Sequence, residues 1–182
     1  MSFEGKTILV TGAGRGIGKA AAIKFAELGG RLVVADVNTH NLEDTRLEVE
    51  SHGRKCFSYH LDVRDLSQIG NMVDFVKSEL GAVDILFNNA GVTQHIDFFD
   101  INGDDWDRIH EVNARGAFFC MQKVAKLMVE TGNGGRIINM GSIAGKGYRR
   151  ASNAAYSASK GGVAQLTKSL ANEWANKGIN VK

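Results

Sequence analysis

Proline is missing altogether from the 182 residues, and the 22 glycines gather at the ends of apolar runs instead of forming a linker or a low-complexity tract. That distribution marks no boundary, so a single domain over 1–182 is expected. Cysteine is nearly as scarce. Cys56 and Cys120 are too few for a disulfide framework and lack C-x-x-C spacing, which is expected of a chain in a reducing cytoplasm where both pack as small apolar residues. An excess of charge of one sign is wanting too. With 22 basic and 20 acidic residues interspersed and a formal net charge of +2, the chain offers no electrostatic footprint for nucleic acid or an anionic membrane. No basic N-terminal stretch leads into a long hydrophobic segment, so neither signal peptide nor membrane anchor is expected. His40, His52, His60, His95 and His110 lie in separate segments without H-E-x-x-H or paired-cysteine spacing, and no metal site is expected.

What the chain has is alternation. It is 43% hydrophobic, enough to bury one sizeable core. Apolar runs of strand length take turns with segments of helical period. Thr7-Ile8-Leu9-Val10-Thr11 precedes a helix over 17–28 in which Ile17, Ala21, Phe25 and Leu28 share a face. Leu32-Val33-Val34-Ala35 and a helix over about 41–52 follow. Then come a strand over 56–61, a helix over about 66–80 and Val83-Asp84-Ile85-Leu86-Phe87. A long helix over about 106–130, the strand Arg136-Ile137-Ile138-Asn139-Met140, a helix over about 155–176 and Ile179-Asn180-Val181 complete the series. Continuous β-branched runs separated by helices imply a doubly wound α/β sheet, parallel and covered on both faces. Such a sheet binds ligands beyond the carboxyl ends of its strands, so each strand-to-helix junction is a place to look for chemistry.

The first junction, Thr11-Gly12-Ala13-Gly14-Arg15-Gly16-Ile17-Gly18, permits a tight turn and lets a pyrophosphate approach the N–H groups that open the helix. A P-loop would need glycine at Ala13 and a hydroxyl at Ala20, which disfavours nucleoside triphosphate hydrolysis. At the end of the second strand, the Asp36 carboxylate suits the two ribose hydroxyls of an adenosine and would repel a 2′-phosphate, favouring NAD over NADP; Arg15, in the glycine loop, is placed to draw the other way. Asp62-Val63 after the third strand and Asn88-Asn89-Ala90-Gly91 after the fourth would border the adenine and nicotinamide sides of a dinucleotide. The Asn-Asn-Ala-Gly stretch also reads as a turn whose side chains satisfy backbone groups.

Beyond the Gly141-Ser142 turn, Tyr156-Ser157-Ala158-Ser159-Lys160 stacks a phenol and an ammonium on one helical face. A free phenol, with a pKa of about 10, carries protons poorly at neutral pH, and a fixed cation beside it favours the phenolate, which makes the pair a candidate acid/base. A serine-hydrolase elbow fails on residue identity, since Met140 and Ala144 stand where glycines are needed around Ser142.

Taken together, Thr11-Gly12-(x)3-Gly16-Ile17-Gly18, Asn88-Asn89-Ala90-Gly91, Asn113, Ser142 and Tyr156-(x)3-Lys160 resemble the short-chain dehydrogenase/reductase family over essentially the whole chain. The resemblance implies a Rossmann fold and hydride transfer between a nicotinamide cofactor and a secondary alcohol or ketone. It implies that Tyr156 is the general acid/base, that Ser142 hydrogen-bonds the substrate oxygen, and that Lys160 holds the nicotinamide ribose. Asn113 would support a water-linked proton path to that lysine. A polyol or sugar substrate is the expectation, with an NADPH-dependent 3-oxoacyl thioester reductase as competitor and a dinucleotide sensor without chemistry as a third reading. Residues 93–99 and 143–153 would form the remaining substrate walls, where Gly147-Tyr148-Arg149-Arg150 is either a solvated basic loop or a recognition element for an anionic or polyhydroxylated substrate. The resemblance also implies a homodimer or homotetramer through the long helix and the Tyr156 helix, to which Phe118, Phe119, Met121 and Leu127 would lend apolar surface. The chain departs from the family by stopping at Lys182, before the family's last helix and strand; a fragment and a shortened protein are the two readings of that departure.

Overall fold

β1 (Thr7–Thr11) is buried along its whole length, as a β-branched run must be at the centre of a parallel sheet with both faces covered. The remaining strands are β2 (Arg31–Asp36), β3 (Cys56–His60), β4 (Ile85–Asn88), β5 (Gly135–Asn139) and β6 (Ile179–Val181). In this computed structural model, which describes residues 2–146 and 154–182, all six pair in parallel in the order β3-β2-β1-β4-β5-β6. The basic stretch 147–150 and the rest of the wall to 153 lie outside the described residues.

Alternation along the strands divides the core into two layers. Ile8 and Val10 of β1, with Leu32, Val34, Ile85 and Phe87, face α1 (Gly16–Glu27) and α2 (Thr39–Ser51). Leu9, Val33, Leu86 and Ile137 face the other way, against α3 (Leu66–Leu80) and α5 (Ala117–Glu130), with Leu170 from α6 (Ala154–Glu173). The strand order reverses at β1 and β4. The chain winds outward through β2 and β3, then returns to lay β4 on the other side of β1, which opens a crevice at their carboxyl ends.

Several local expectations are corrected. The face of α1 turned to the core carries Gly18, Ala22 and Ala26, whereas Ile17 is 62% exposed, because the helix lies against the sheet through its small residues. The long helix begins at Gly103, where Asn102 and Asp105 form a reciprocal capping box. It runs as α4 (Gly103–His110), a π-helical turn over Glu111–Gly116, and then α5. Within α5, Met121 and Leu127 belong to the core and offer no spare surface; Phe118 and Phe119 are half-buried. β4 starts at Ile85 because the Asp84 carboxylate is taken up by Lys6 Nζ and the Thr7 N–H at the amino end of the sheet. α6 stops at Glu173 and hands over to a short 3-10 turn, Ala175–Lys177. No described helix is long and apolar enough to cross a membrane.

Both cysteines are buried, Cys56 under α2 and Cys120 in the α5 layer, and burial pushes each thiol up to about 12 from its usual 9.0. The native chain should therefore leave a thiol-specific disulfide reagent unreacted at pH 8, and both thiols should titrate after denaturation. Because the unfolded chain ionises first, these two groups make stability fall as pH rises from 9 towards 12. Prompt labelling of the native chain at pH 8 would contradict the packing of both side chains.

Candidate active site

The floor of the crevice is a joint between the turns that follow β1 and β4. Thr11 Oγ1 accepts from the N–H groups of Asn89, at 3.0 Å, and Ala90, at 3.1 Å. Asn89 Nδ2 reaches back to the carbonyls of Thr11 and Gly12 at 3.1 and 3.0 Å. Gly12 has φ +64°, and a Cβ there would stand 2.7 Å from Ala90 Cα, so glycine is required on both counts. A Cβ on Gly18 would meet the Gly12 carbonyl and Asn89 Nδ2, and one on Gly14 would stand 2.9 Å from Asp36 Cγ. The Asn88-Asn89-Ala90-Gly91 stretch thus satisfies backbone groups and shapes the crevice at once.

α1 opens at this joint without a capping side chain, while α2, α3 and α4 are capped by Asn38, Asp65 and Asn102. An uncapped helix start beside a turn kept clear of side chains is the arrangement that takes a pyrophosphate, so these residues fit the diphosphate of a dinucleotide. The Asp36 carboxylate helps shape that turn: Oδ2 accepts from the Gly14 N–H and Oδ1 from the Asn38 N–H, each at 2.9 Å. Each oxygen keeps a second lone pair with which to accept from a ribose hydroxyl.

A crevice of about 530 Å³ runs from this turn along the strand ends. Gly12, Arg15, Gly16, Ile17, Asp36, Asp62, Val63, Asn89, Ala90 and Gly91, all singled out from the sequence, line it. Gly14 and Gly18 lie buried behind the lining. Val37, Leu61, Arg64, Val92, Arg108 and Val112 complete the walls and were not singled out; Val92 and Val112 could have been found as the neighbours of Gly91 and Asn113. Asp62 is held by the Arg64 guanidinium at 2.6 Å, a charge-assisted hydrogen bond that keeps its carboxyl below the ordinary carboxylate range and raises the guanidinium in return. Arg108 pairs with Gln94 across the 93–99 segment. Phe98 and Phe99 in that segment are 69% and 91% exposed.

Asn113, Ser142, Tyr156 and Lys160 lie outside this lining, and Asn113 and Lys160 stand next to Gly91. A Cβ on Gly91 would lie 3.3 Å from Asn113 Oδ1 and 3.6 Å from Lys160 Nζ. Lys160 is 4% exposed; its Nζ donates to the Met140 carbonyl at 2.7 Å and stands 6.0 Å from the centre of the Tyr156 ring. The turn over Ile143–Lys146 packs so closely on the Lys160 backbone that a Cβ on Gly145 would be 2.8 Å from Lys160 C. That contact sets Ser142, whose Oγ accepts from the Ala144 N–H at 3.1 Å, beside the lysine's helix. Asn113, 1% exposed, clamps Val92 through both backbone groups, accepting from its N–H at 2.8 Å and donating to its carbonyl at 2.9 Å. Its second amide hydrogen goes to Ser159 Oγ at 3.1 Å, and Ser159 Oγ donates to the Tyr156 carbonyl at 2.7 Å. Among the described residues, no His, Cys, Asp and Glu side chains gather in a group that would hold a metal ion.

Comparison with known proteins shows the family. A family model described as short chain dehydrogenase matches residues 6–182. An uncharacterized oxidoreductase, YxbG, of Bacillus subtilis is 40% identical over 182 residues, covering 98% of this chain and 65% of its own length. A 3-oxoacyl-[acyl-carrier-protein] reductase, FabG, of Thermotoga maritima is 38% identical over 181 residues, covering 100% of this chain and 73% of its own length. Among solved structures, an NAD+-bound xylitol dehydrogenase superimposes with a TM-score of 0.95 at 36% identity, covering 100% of this chain and 69% of that one. The chain thus spans roughly two thirds to three quarters of the length of these proteins.

Burial pushes the Lys160 ammonium below its usual 10.5, because the charged form loses its water. Between that lowered value and 10.5 the folded chain binds fewer protons than the unfolded one, so this group makes stability rise with pH across the window. Urea unfolding of the wild-type chain and of Lys160→Met should show the wild type gaining on the variant as pH climbs to about 10.5. A difference independent of pH would mean that the ammonium is solvated.

Proposed function

The chain belongs to the short-chain dehydrogenase family, and from that premise we propose that it is an oxidoreductase that binds NAD in the crevice and exchanges a hydride with a secondary alcohol or ketone, a polyol or sugar. On this reading residues 1–182 form one dinucleotide-binding domain that also carries the reacting groups. The observation that bears most weight is the buried Lys160 ammonium, fixed by the Met140 carbonyl between the Tyr156 ring and the crevice end at Gly91.

The nicotinamide, when bound, supplies or takes up the hydride. The glycine turn and the start of α1 hold the diphosphate, Asp36 accepts from the adenosine ribose, and Asp62 and Val63 border the adenine. Lys160 would hold the nicotinamide ribose through its remaining ammonium hydrogens and keep positive charge beside the phenol. In reduction the substrate's carbonyl oxygen takes its proton from Tyr156 Oη; in oxidation the phenolate removes the proton from the alcohol. Ser142 donates to the same oxygen, and two donors converging there stabilise its developing charge. Asn113 keeps this corner in place by clamping Val92 and Ser159, and a water-linked proton path would run beside it to Lys160.

The preference for NAD rests on Asp36, whose carboxylate repels a 2′-phosphate. The NAD+-bound xylitol dehydrogenase supports both the cofactor and the polyol, while the 3-oxoacyl reductase relative favours the competing assignment of NADPH and an acyl thioester. A cytoplasmic location and a homodimer or homotetramer fit this reading, with half-buried Phe118 on the α5 face as a contact between copies.

Two measurements test it. NADH should bind at least about tenfold more tightly than NADPH by fluorescence titration, and Asp36→Asn, which keeps an acceptor for Gly14, should narrow the ratio. A tighter NADPH complex would transfer the assignment to the thioester reductase. Against a panel of secondary alcohols, Tyr156→Phe should lower kcat by about 10²–10⁴-fold while NADH affinity stays within about twofold. Turnover unaffected by the loss of the hydroxyl would remove the phenol from the chemistry, and binding with no turnover on any alcohol or ketone would leave a sensor.

A further inference from the structure

Gly116 has ordinary helical angles, φ −60° and ψ −46°, so its backbone makes no demand for glycine, and alanine is the better helix former. Space makes the demand instead. A Cβ on Gly116 would stand 2.8 Å from Val63 Cγ2 and 2.9 Å from both Val63 Cβ and the Val63 carbonyl oxygen. A β-branched side chain and a carbonyl in a buried loop cannot swing aside as the tip of a long side chain would. Val63 is 6% exposed and lines the crevice.

One residue earlier, Arg115 Nη1 donates to the Arg64 carbonyl at 2.9 Å, and its guanidinium lies 5.8 Å from the centre of the Phe119 ring. Residues 115 and 116 therefore grip two consecutive residues of the crevice wall, one by a hydrogen bond and one by contact without a side chain. The same wide turn, Glu111–Gly116, carries Asn113, whose amide holds both backbone groups of Val92 in another part of the lining. Val112, one residue before Asn113, lines the crevice itself.

We propose that the π-helical turn is a brace that sets the width of the dinucleotide crevice. Arg115 and Gly116 fix the wall at Val63 and Arg64, and Asn113 fixes it at Val92. Gly116 and Arg115 are positioning residues for the cofactor, acting through the wall and not by touching the ligand; this rests on the reading that the crevice holds a nicotinamide dinucleotide. An added methyl at 116 either drives Val63 into the crevice or lifts the turn away and carries Asn113 with it. Both change the width.

The test is NADH titration of variants whose folding is followed by circular dichroism and thermal melting. Gly116→Ala should raise the NADH Kd by about tenfold or more, and adding Val63→Ala, which removes the closest atom, should restore part of that loss. Arg115→Met, at an exposed position, should raise Kd by about threefold with little change in Tm. Gly70→Ala on α3, where a Cβ would have nothing within 4 Å, should keep wild-type affinity. Unchanged affinity in folded Gly116→Ala, or in Arg115→Met should Gly116→Ala not fold, overturns the brace. So does a failure of Val63→Ala to restore any affinity, or an equal loss in Gly70→Ala. A wild-type chain that binds neither NADH nor NADPH overturns the cofactor reading and the brace together.

Discussion

The turn after β1 and the turn after β4 come so close that neither Gly12 nor Gly18 has room for a methyl group. With no side chains between them, Thr11 Oγ1 can take the N–H groups of Asn89 and Ala90, and Asn89 can return its amide to the first turn. This joint lies where the strand order reverses, which is where an open α/β sheet has its crevice. Asn88 extends it sideways: its Nδ2 donates to the Ala117 carbonyl and to Asn139 Oδ1, and Asn139 donates to Thr167 on α6. The glycine turn is thereby tied through β4 and β5 to the helix that carries Tyr156 and Lys160. Because these polar groups are buried or half-buried and satisfy one another, the position of each constrains the next.

The second constraint is the desolvation of Lys160. A buried ammonium is costly unless its hydrogens find acceptors, and the Met140 carbonyl at the end of β5 provides one. That bond leaves the charge 3.6 Å from where a Gly91 Cβ would be and 6.0 Å from the centre of the Tyr156 ring. On the proposed assignment, the same expense that lowers the ammonium's pKa holds its charge where both the ribose and the phenol can use it. A solvated lysine at the same spacing would be cheaper to fold and would leave the phenol unpolarised.

Much of this was legible in the sequence because backbone needs leave identifiable residues. A glycine that must admit a neighbouring turn, a β-branched run buried on both faces, and an acid at a strand end each point to their place, and the ten crevice residues singled out from the sequence all lie at strand-to-helix junctions. What was illegible depends on contact between distant segments. The apolar period of α1 suggested Ile17 for the core, yet the helix packs through Gly18, Ala22 and Ala26, since small residues allow closer approach to the sheet than a branched one. The turn at Glu111–Gly116 has no local signature, because its wide geometry answers to the Val92 backbone and to Val63, which lie far away along the chain. Arg64 and Arg108 entered the wall unannounced, since an arginine at a loop or on a helix face reads as a solvated charge until its partner, Asp62 or Gln94, is known to stand beside it.

On the proposed assignment, shaping and recognition share one group at Asp36. Its carboxylate holds the Gly14 N–H on one oxygen and the Asn38 N–H on the other, so it fixes both the glycine turn and the start of α2 before any ligand arrives. Gly14 lies so close behind it that a Cβ there would touch the carboxylate carbon. On the proposed assignment, removing the acid to admit a 2′-phosphate would leave the Gly14 N–H without its acceptor and loosen the turn that would cradle the diphosphate. Discrimination between the two dinucleotides and the geometry of the phosphate cradle would then be linked through this one side chain. On that assignment, a change of preference would be more easily reached from the exposed side, at Val37 or Arg15, where a new or redirected charge could meet the phosphate without disturbing the joint.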